Sequence, residues 1–439
     1  MSPSGLAPRP TSATDRMGPD EVRAKLDELS REQRESVSVC YYGRDESIFV
    51  SSKGSGASPE MRVEVACIAK PLTATLVAGA MGEKRLSLSD GVGEYLRRPG
   101  KHRLHDLKIY HLLNHSHGID EDDLRSLPRN AHGFIDTHEL LSRTVASERL
   151  FPCGSLASYG SAGYWLAAAV LETIYDVPFR TLLCSKLFEP LDVQPTFVGT
   201  CGTCPSMGGD LQLSAADLLK LTKVHLPSVE SGWGDVLMEL RRDDLAVAPA
   251  GWHPTIRRFC LGWDDFGSGV FGHNSNGVHD SAAVRFSPDT GEAIAVTVKN
   301  GKTAVNALRL VHGSGLQGSP PPRLPRLLSS AEWSRADASR YVGTYEAAFL
   351  KIDVDVTDSG SLRAHVYRKD ERPRKGKPWI GRVLIPAEGD NFVPNPPDTE
   401  VLSLVHFSHP TSRGRYRYLQ ARNCVYMRRE GRRTRSSKH

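Results

Sequence analysis

The chain has 439 residues, 39% hydrophobic and 24% charged, enough for two or three domains with ample core. Its longest apolar stretch lies in GYWLAAAVLETI (163–174), too short to span a bilayer, and the opening MSPSGLAPRPTSATDRMGPDE lacks the apolar run of a secretory signal, so a cytoplasmic protein is expected. The net charge of +5 resides in the tail RREGRRTRSSKH (428–439); no nucleic-acid motif or aromatic–basic interleaving accompanies it, so neither nucleic acid nor membrane is an expected partner.

Residues 1–18, rich in Pro, Ser and Gly, have the composition of a disordered N-terminus. A helix is predicted over 20–33, with Val22, Leu26 and Leu29 on one face. SVSVCYYGRDESIFVSS (36–52) has two β-rich runs around Gly43-Arg44-Asp45 and predicts a hairpin. A helix then starts at or close to Cys67, because Pro71 is tolerated only in a first turn. HDLKIYHLLNHSHGID (105–120) and SAGYWLAAAVLETIYD (161–176) carry further helical patterns. SAADLLKLTKVHL (214–226) opens on a capping-box-like pair, Ser214 and Asp217. AAVRFSPDTGEAIAVTVKNG (282–301) is a second hairpin around Pro288-Asp289-Thr290-Gly291. A last helix is expected at 306–314, before the Pro/Gly-rich GLQGSPPPRLP.

From 338 to 428 the pattern changes to short alternating runs separated by turns, which predicts a small all-β domain, a barrel. The expected organisation is a disordered 1–18, an α+β domain over 19–314, a linker over 315–334, a barrel over 335–428 and a basic tail over 429–439.

Eight cysteines occur, at 40, 67, 153, 184, 201, 204, 260 and 424. In a reducing compartment several should pack as small hydrophobes. Cys201 and Cys204 form a CxxC with no second pair nearby, so neither zinc nor redox chemistry is expected of them. Cys67 differs, because Lys70 stands one helical turn beyond it and shares its face. A helix N-terminus and an ammonium both favour a thiolate; a desolvated, neutral Lys70 would instead accept the thiol proton. Taken alone, this spacing is weak evidence and is more often met by a buried thiol beside a surface lysine.

VEVACIAKPLTATLVAGAMGEKRLSLSDGVGEYL (63–96) resembles the nucleophile segment of the serine β-lactamase and penicillin-binding-protein superfamily, class C type, with its SxxK serine replaced by cysteine. Other landmarks follow in the family's order: LKIYHLLNHSHGI (107–119), CGSLASYGSAGYWLAAAVLE (153–172), SMGGDLQLSAADLLKL (206–221) and FCLGWDDFGSGVFGHNSN (259–276). The region from RYVGTY (340–345) onward resembles the lipocalin-like barrel often fused behind such domains.

The resemblance implies an α+β, class C β-lactamase-like domain followed by that barrel. It implies four catalytic residues, Cys67 as nucleophile, Lys70 and Tyr159 as proton shuttles and His273 opening the third motif, with an oxyanion N–H from near Asn276. The pocket departs from the family at Ser161, where an Asn is usual, and at Ser275 and His279, where glycines are usual; these three are expected to line the pocket. His115, His117 and Asp120 fall on a structural segment of the family, and no metal or cofactor is expected.

A thioester at Cys67 would react readily with amines relative to water. The expected function is therefore an ATP-independent acyltransferase in natural-product biosynthesis, taking an ester or carrier-protein-bound thioester donor and an amine or hydroxyl acceptor. The alternatives are a β-lactamase-like hydrolase (esterase or amidase) and a catalytically silent binding protein.

Overall fold

The computed structural model describes residues 36–429 except 44–47, 55, 97–103, 105, 121–138, 140–141, 145–148, 199–210, 231, 250–252, 254, 277–279, 300–315, 317, 321–322, 330–331, 348–349, 370–377, 396–403 and 422–423. The predicted disordered N-terminus, the helices at 20–33 and 306–314, the Cys201–Cys204 pair, His279 and all but the first residue of the basic tail lie outside the described residues. The chain forms two compact units, residues 1–88, 167–246 and 255–320 in the first, 89–166, 247–254 and 321–439 in the second.

The first unit is built on a seven-stranded sheet in the order β2-β1-β10-β9-β8-β7-β6. Its strands come from both ends of the unit: β1 (Ser36–Tyr42) and β2 (Ile48–Lys53), then β6 (Arg258–Phe259), β7 (Asp264–Gly267), β8 (Val270–Asn276), β9 (Ser281–Ser287) and β10 (Glu292–Lys299). All neighbours pair antiparallel, and both predicted hairpins form. β9 is buried along its whole length and β10 along all but its last residue, because this central part of the sheet is covered on both faces. A small sheet runs in the order β3-β5-β4, with β3 (Val63–Glu64), β4 (Thr196–Phe197) and β5 (Leu211–Leu213).

Helix α1 (Ala69–Gly82) is buried nearly all round, Lys70 included, as its uniform run of small and apolar residues requires. The expected helix after Ser214 forms as α2 (Ala215–Lys223); the Ser214 hydroxyl accepts from the Asp217 N–H at 3.1 Å and the Asp217 carboxylate accepts from Ser214 N–H at 3.3 Å. It packs on β1, β9 and β10.

The second unit contains a closed barrel of eight antiparallel strands in sequence order, β11 (Gly343–Ala347), β12 (Leu350–Val356), β13 (Leu362–Arg368), β14 (Ile380–Ala387), β15 (Asn391–Asn395), β16 (Val405–Pro410), β17 (Tyr416–Ala421) and β18 (Cys424–Arg429). Its interior is filled: Tyr341, Tyr345, Phe392, Phe407 and Tyr416 pack ring on ring, with centroids 4.7–6.1 Å apart. The Tyr341 and Tyr416 hydroxyls both donate to Asp390 Oδ1, at 2.6 and 2.7 Å, which satisfies their polar ends. Closure removes the edge strands that an open sheet would expose.

The same unit holds the 105–120 segment, and here the helical expectation is only partly met. The helix is confined to Ile109–Leu113. Asn114 Oδ1 accepts from both the N–H and the hydroxyl of Ser116, at 3.1 and 2.6 Å, and His117 Nδ1 accepts from Ile119 N–H at 3.0 Å. Such side-chain bonds compete with the helical ladder and end it. His115 takes the left-handed conformation, φ +64°. Helix α3 (Ala162–Tyr175) forms where the pattern places it.

Candidate active site

Strand β3 leads into α1 through a single tight turn, Ala66–Ile68, of 3₁₀ type. Cys67 is the middle residue of that turn, two positions before the first residue of the α-helix. Ile68 N–H closes the turn on Val65 C=O at 2.9 Å, and Ala66 is held at φ +38°, a conformation unusual for a residue with a Cβ. Cys67 is half-buried, and the turn around it packs against β8. Lys70, the second residue of α1, is only 2% exposed.

Four other thiols, Cys40, Cys153, Cys184 and Cys260, are buried or half-buried. Burial pushes Cys40 and Cys260 up to about 12 and Cys153 up to about 11, and it raises Cys184 as well. These are packed thiols, protonated at neutral pH.

Strand β8 carries the rest of the candidate residues in this unit. Alternation places His273 and Ser275 on one face, and both are buried. His273 Nδ1 donates to Asn274 C=O at 2.8 Å, since a carbonyl can only accept. Burial, with the Lys70 ammonium adding to it, draws His273 down to about 3, so the ring is neutral. The Ser275 hydroxyl is buried without a hydrogen-bond partner among the described residues. Asn276 ends the strand, its backbone opposite Ser281.

Behind β8 stands a buried charged row that the sequence analysis did not single out. Asp264, Gly272 and Arg285 are directly opposite one another across β7, β8 and β9. The Arg285 side chain lies across Gly272, where a Cβ would come within 2.6 Å of its Cδ. That close approach is why the middle position has no side chain. The guanidinium stacks 3.6 Å over the Phe266 ring, donates to Asn274 Oδ1 at 2.8 Å, and reaches the carbonyls of Val284 and His273 at 2.7 and 3.3 Å. Arg285 thereby grips the strand that bears His273.

Burial pushes the Asp264 carboxyl up to about 7 against the pull of Arg285 and Lys70, and it draws Arg285 down to about 9. The turn before Asp264 meets the start of α1: a Cβ on Gly262, at φ +89°, would collide with Ala74 and lie 3.4 Å from Pro71 Cα. The unit thus gathers Cys67, Lys70, His273 and Ser275, with Asp264 and Arg285 behind them. The only signals in the sequence were a charged pair after Leu261-Gly262-Trp263 and an Arg inside the apolar run AAVRFS.

Tyr159 and Ser161 belong to the second unit. Tyr159 sits in an irregular segment just before α3. Its ring packs on His115, with centroids 4.6 Å apart, and His115 Nδ1 accepts from Gly160 N–H at 3.2 Å while its carbonyl accepts from Ser158 N–H at 2.9 Å. Ser161 precedes the first residue of α3, and its carbonyl accepts from the N–H groups of Tyr164 and Trp165 at 3.0 and 3.1 Å. A serine suits that helix-starting position. Among the described residues no group of three or more His, Cys, Asp or Glu is placed to hold a metal ion, and no helix among them is long and apolar enough to cross a membrane.

The family model described as Beta-lactamase matches residues 22–312. No curated protein matches the sequence significantly. Among solved structures, SurE with D-Leu aligns with a TM-score of 0.73 at 22% identity, covering 94% of this chain and 99% of that one. A D-stereospecific amidohydrolase from Streptomyces sp. aligns with a TM-score of 0.53 at 19% identity, over 66% of this chain and 96% of that one. A β-lactamase/D-alanine carboxypeptidase from Pseudomonas syringae gives 0.55 at 15% identity, over 68% and 98%. At such identities the likeness is one of fold.

Proposed function

Because the chain belongs to the β-lactamase family, we propose that it is an acyltransferase, independent of ATP, that works through a thioester on Cys67. Cys67 Sγ attacks the carbonyl of an ester or thioester donor. A sulfur–carbon bond forms, the donor's carbon–oxygen or carbon–sulfur bond breaks, and the leaving group departs with the thiol proton. An amine or hydroxyl acceptor then attacks the thioester, forms the new amide or ester bond, and returns the proton to Cys67. Lys70 activates the Cys67 thiol, its charge favouring the thiolate, Tyr159 passes protons between leaving group and acceptor, and backbone N–H groups of Cys67 and the end of β8 hold the oxyanion. Neutral His273 and the Ser275 hydroxyl line the acyl pocket.

The observation that carries this reading is the placement of Cys67: a half-buried thiol in a tight turn, one helical turn from a buried lysine, whereas burial holds Cys40, Cys153, Cys184 and Cys260 protonated. The names of the structural neighbours add a substrate class. SurE was solved with D-Leu, and the others act on D-configured compounds by name. A donor whose acyl group ends in a D-amino acid residue is accordingly the first to try, as in carrier-bound peptides released by amide formation or macrocyclisation.

Intact-mass spectrometry after mixing with activated esters and carrier thioesters of D- and L-terminated peptides is the direct test. An acyl adduct on Cys67 that disappears on adding an amine, with the amide formed, is the expected result. No adduct with any donor from mildly acid to alkaline pH would overturn it. The amidohydrolase and carboxypeptidase neighbours favour a hydrolase as the second reading; it predicts rapid loss of the adduct to water and no amide product.

A further inference from the structure

We propose that the C-terminal barrel is a positioning element for the Tyr159 segment, with Ser158 as the residue through which strand β18 holds it. This rests on the reading of Tyr159 as a proton shuttle.

Residues 152–160 have no helix or strand of their own, so their backbone groups need partners from elsewhere. One side of the segment is held by His115. The other side is held by β18: Val425 N–H donates to the Ser158 hydroxyl oxygen at 3.1 Å, and the Cys424 thiol lies 3.9 Å from the Tyr159 carbonyl, at the range of a weak S–H···O contact. The barrel's seam explains why Val425 is free to do this. Strand β11 pairs with β18 at Met427, Arg428 and Arg429, whereas Val425 is opposite Gln420 on β17. Ser158 takes up the Val425 N–H on the flank where β11 would otherwise continue the ladder.

Two further contacts fasten the same stretch. Leu150 and Phe151 are buried in one apolar core with barrel residues Tyr345, Leu419 and Val425, and Leu156 packs against it. Arg429, the last residue of β18, pairs with Asp120 at 3.5 Å, five positions beyond His115, which holds the segment's other side. The barrel's own interior is filled with aromatic rings, so its outer contacts, rather than a lumen, are what it offers the rest of the chain.

The test uses the full chain with Ser158→Ala, Ser158→Thr and Tyr159→Phe. Amide hydrogen exchange over 154–161 should quicken about five-fold in Ser158→Ala, the scale of one lost hydrogen bond, and return toward the parent in Ser158→Thr. The kcat for acyl transfer should fall about five- to ten-fold with KM nearly unchanged, and the melting temperature should stay close to that of the parent. Parental exchange and parental kcat in Ser158→Ala would overturn the proposal. So would a lowered melting temperature without local quickening, which marks the contact as general stabilisation. If Ser158→Ala quickens exchange while Tyr159→Phe transfers at the parental rate, the tether stands and the role given to Tyr159 falls.

Discussion

The two units hold their candidate residues by different physical means. In the first, Lys70 and His273 stand on a helix and a strand, and Cys67 on a tight turn between such elements. Ladder hydrogen bonds fix the backbone there, and a buried Arg285 locks β8 from behind. In the second, Tyr159 stands on a segment without regular structure, held by a histidine ring and by the edge of a barrel strand. A regular element carries its own positional order; an irregular one must borrow it from whatever packs against it. The C-terminal barrel gains a reason to be fused to this chain from that difference.

Substitutions at Cys67 should break the comparison most sharply. Cys67→Ala should abolish the acyl adduct and turnover, detected by intact mass, with both units still folded. Cys67→Ser should keep some acylation and move the products toward hydrolysis, read as the ratio of acid to amide, because an oxygen ester reacts less readily with amines than a thioester. Lys70→Met and Tyr159→Phe should each lower kcat by about 10²–10⁴-fold, the range of general acid–base catalysis. Near-parental rates in either would remove that residue from the mechanism.

Stability changes should sharpen the contrast. Arg285→Met leaves Asp264 buried beside Lys70 without its main cation and should cost about 3–5 kcal/mol in urea unfolding. Phe151→Ala empties part of the core shared with the barrel and should cost a similar 3–5 kcal/mol, with faster amide exchange over 154–161. An unchanged exchange pattern there would separate the barrel core from the tyrosine segment.

A further effect is on pH dependence. Burial holds His117 and His273 down at about 3 and His111 at about 4. The unfolded chain binds protons at these positions near pH 6.5 and the folded chain does not, so their contribution to stability is lost as pH falls from about 6.5. Asp264, pushed up to about 7 from 3.8, acts oppositely: folded protein keeps a proton that the unfolded chain has released, and stability falls as pH rises from about 4 to about 7. Asp264→Asn should therefore steepen the gain in stability with pH over that window, measured by denaturant titration at several pH values.

Several parts of this architecture were legible in the residues. Pro71 located the start of α1 to within a few positions of Cys67, Ser214 and Asp217 marked the start of α2, and alternation after 338 announced the barrel. These are local signals, set by φ, capping and side-chain period. The 105–120 pattern misled because apolar spacing does not register the bonds made by Asn114 and His117, which stop the helix after Leu113. Asp264 and Arg285 went unremarked because they are 21 positions apart in sequence and become neighbours only through the β7–β8–β9 register.

By itself, then, the sequence determined the periodicities, the caps, the order of the motifs and the placing of a thiol three residues before a lysine at a helix start. The tertiary structure decided which thiols are buried, which charges share a strand row, and that Ser158 meets Val425, 267 residues further along. Local signals are written in neighbouring residues and can be read from them. Burial and register depend on partners far apart in the chain, and only folding brings those partners within reach.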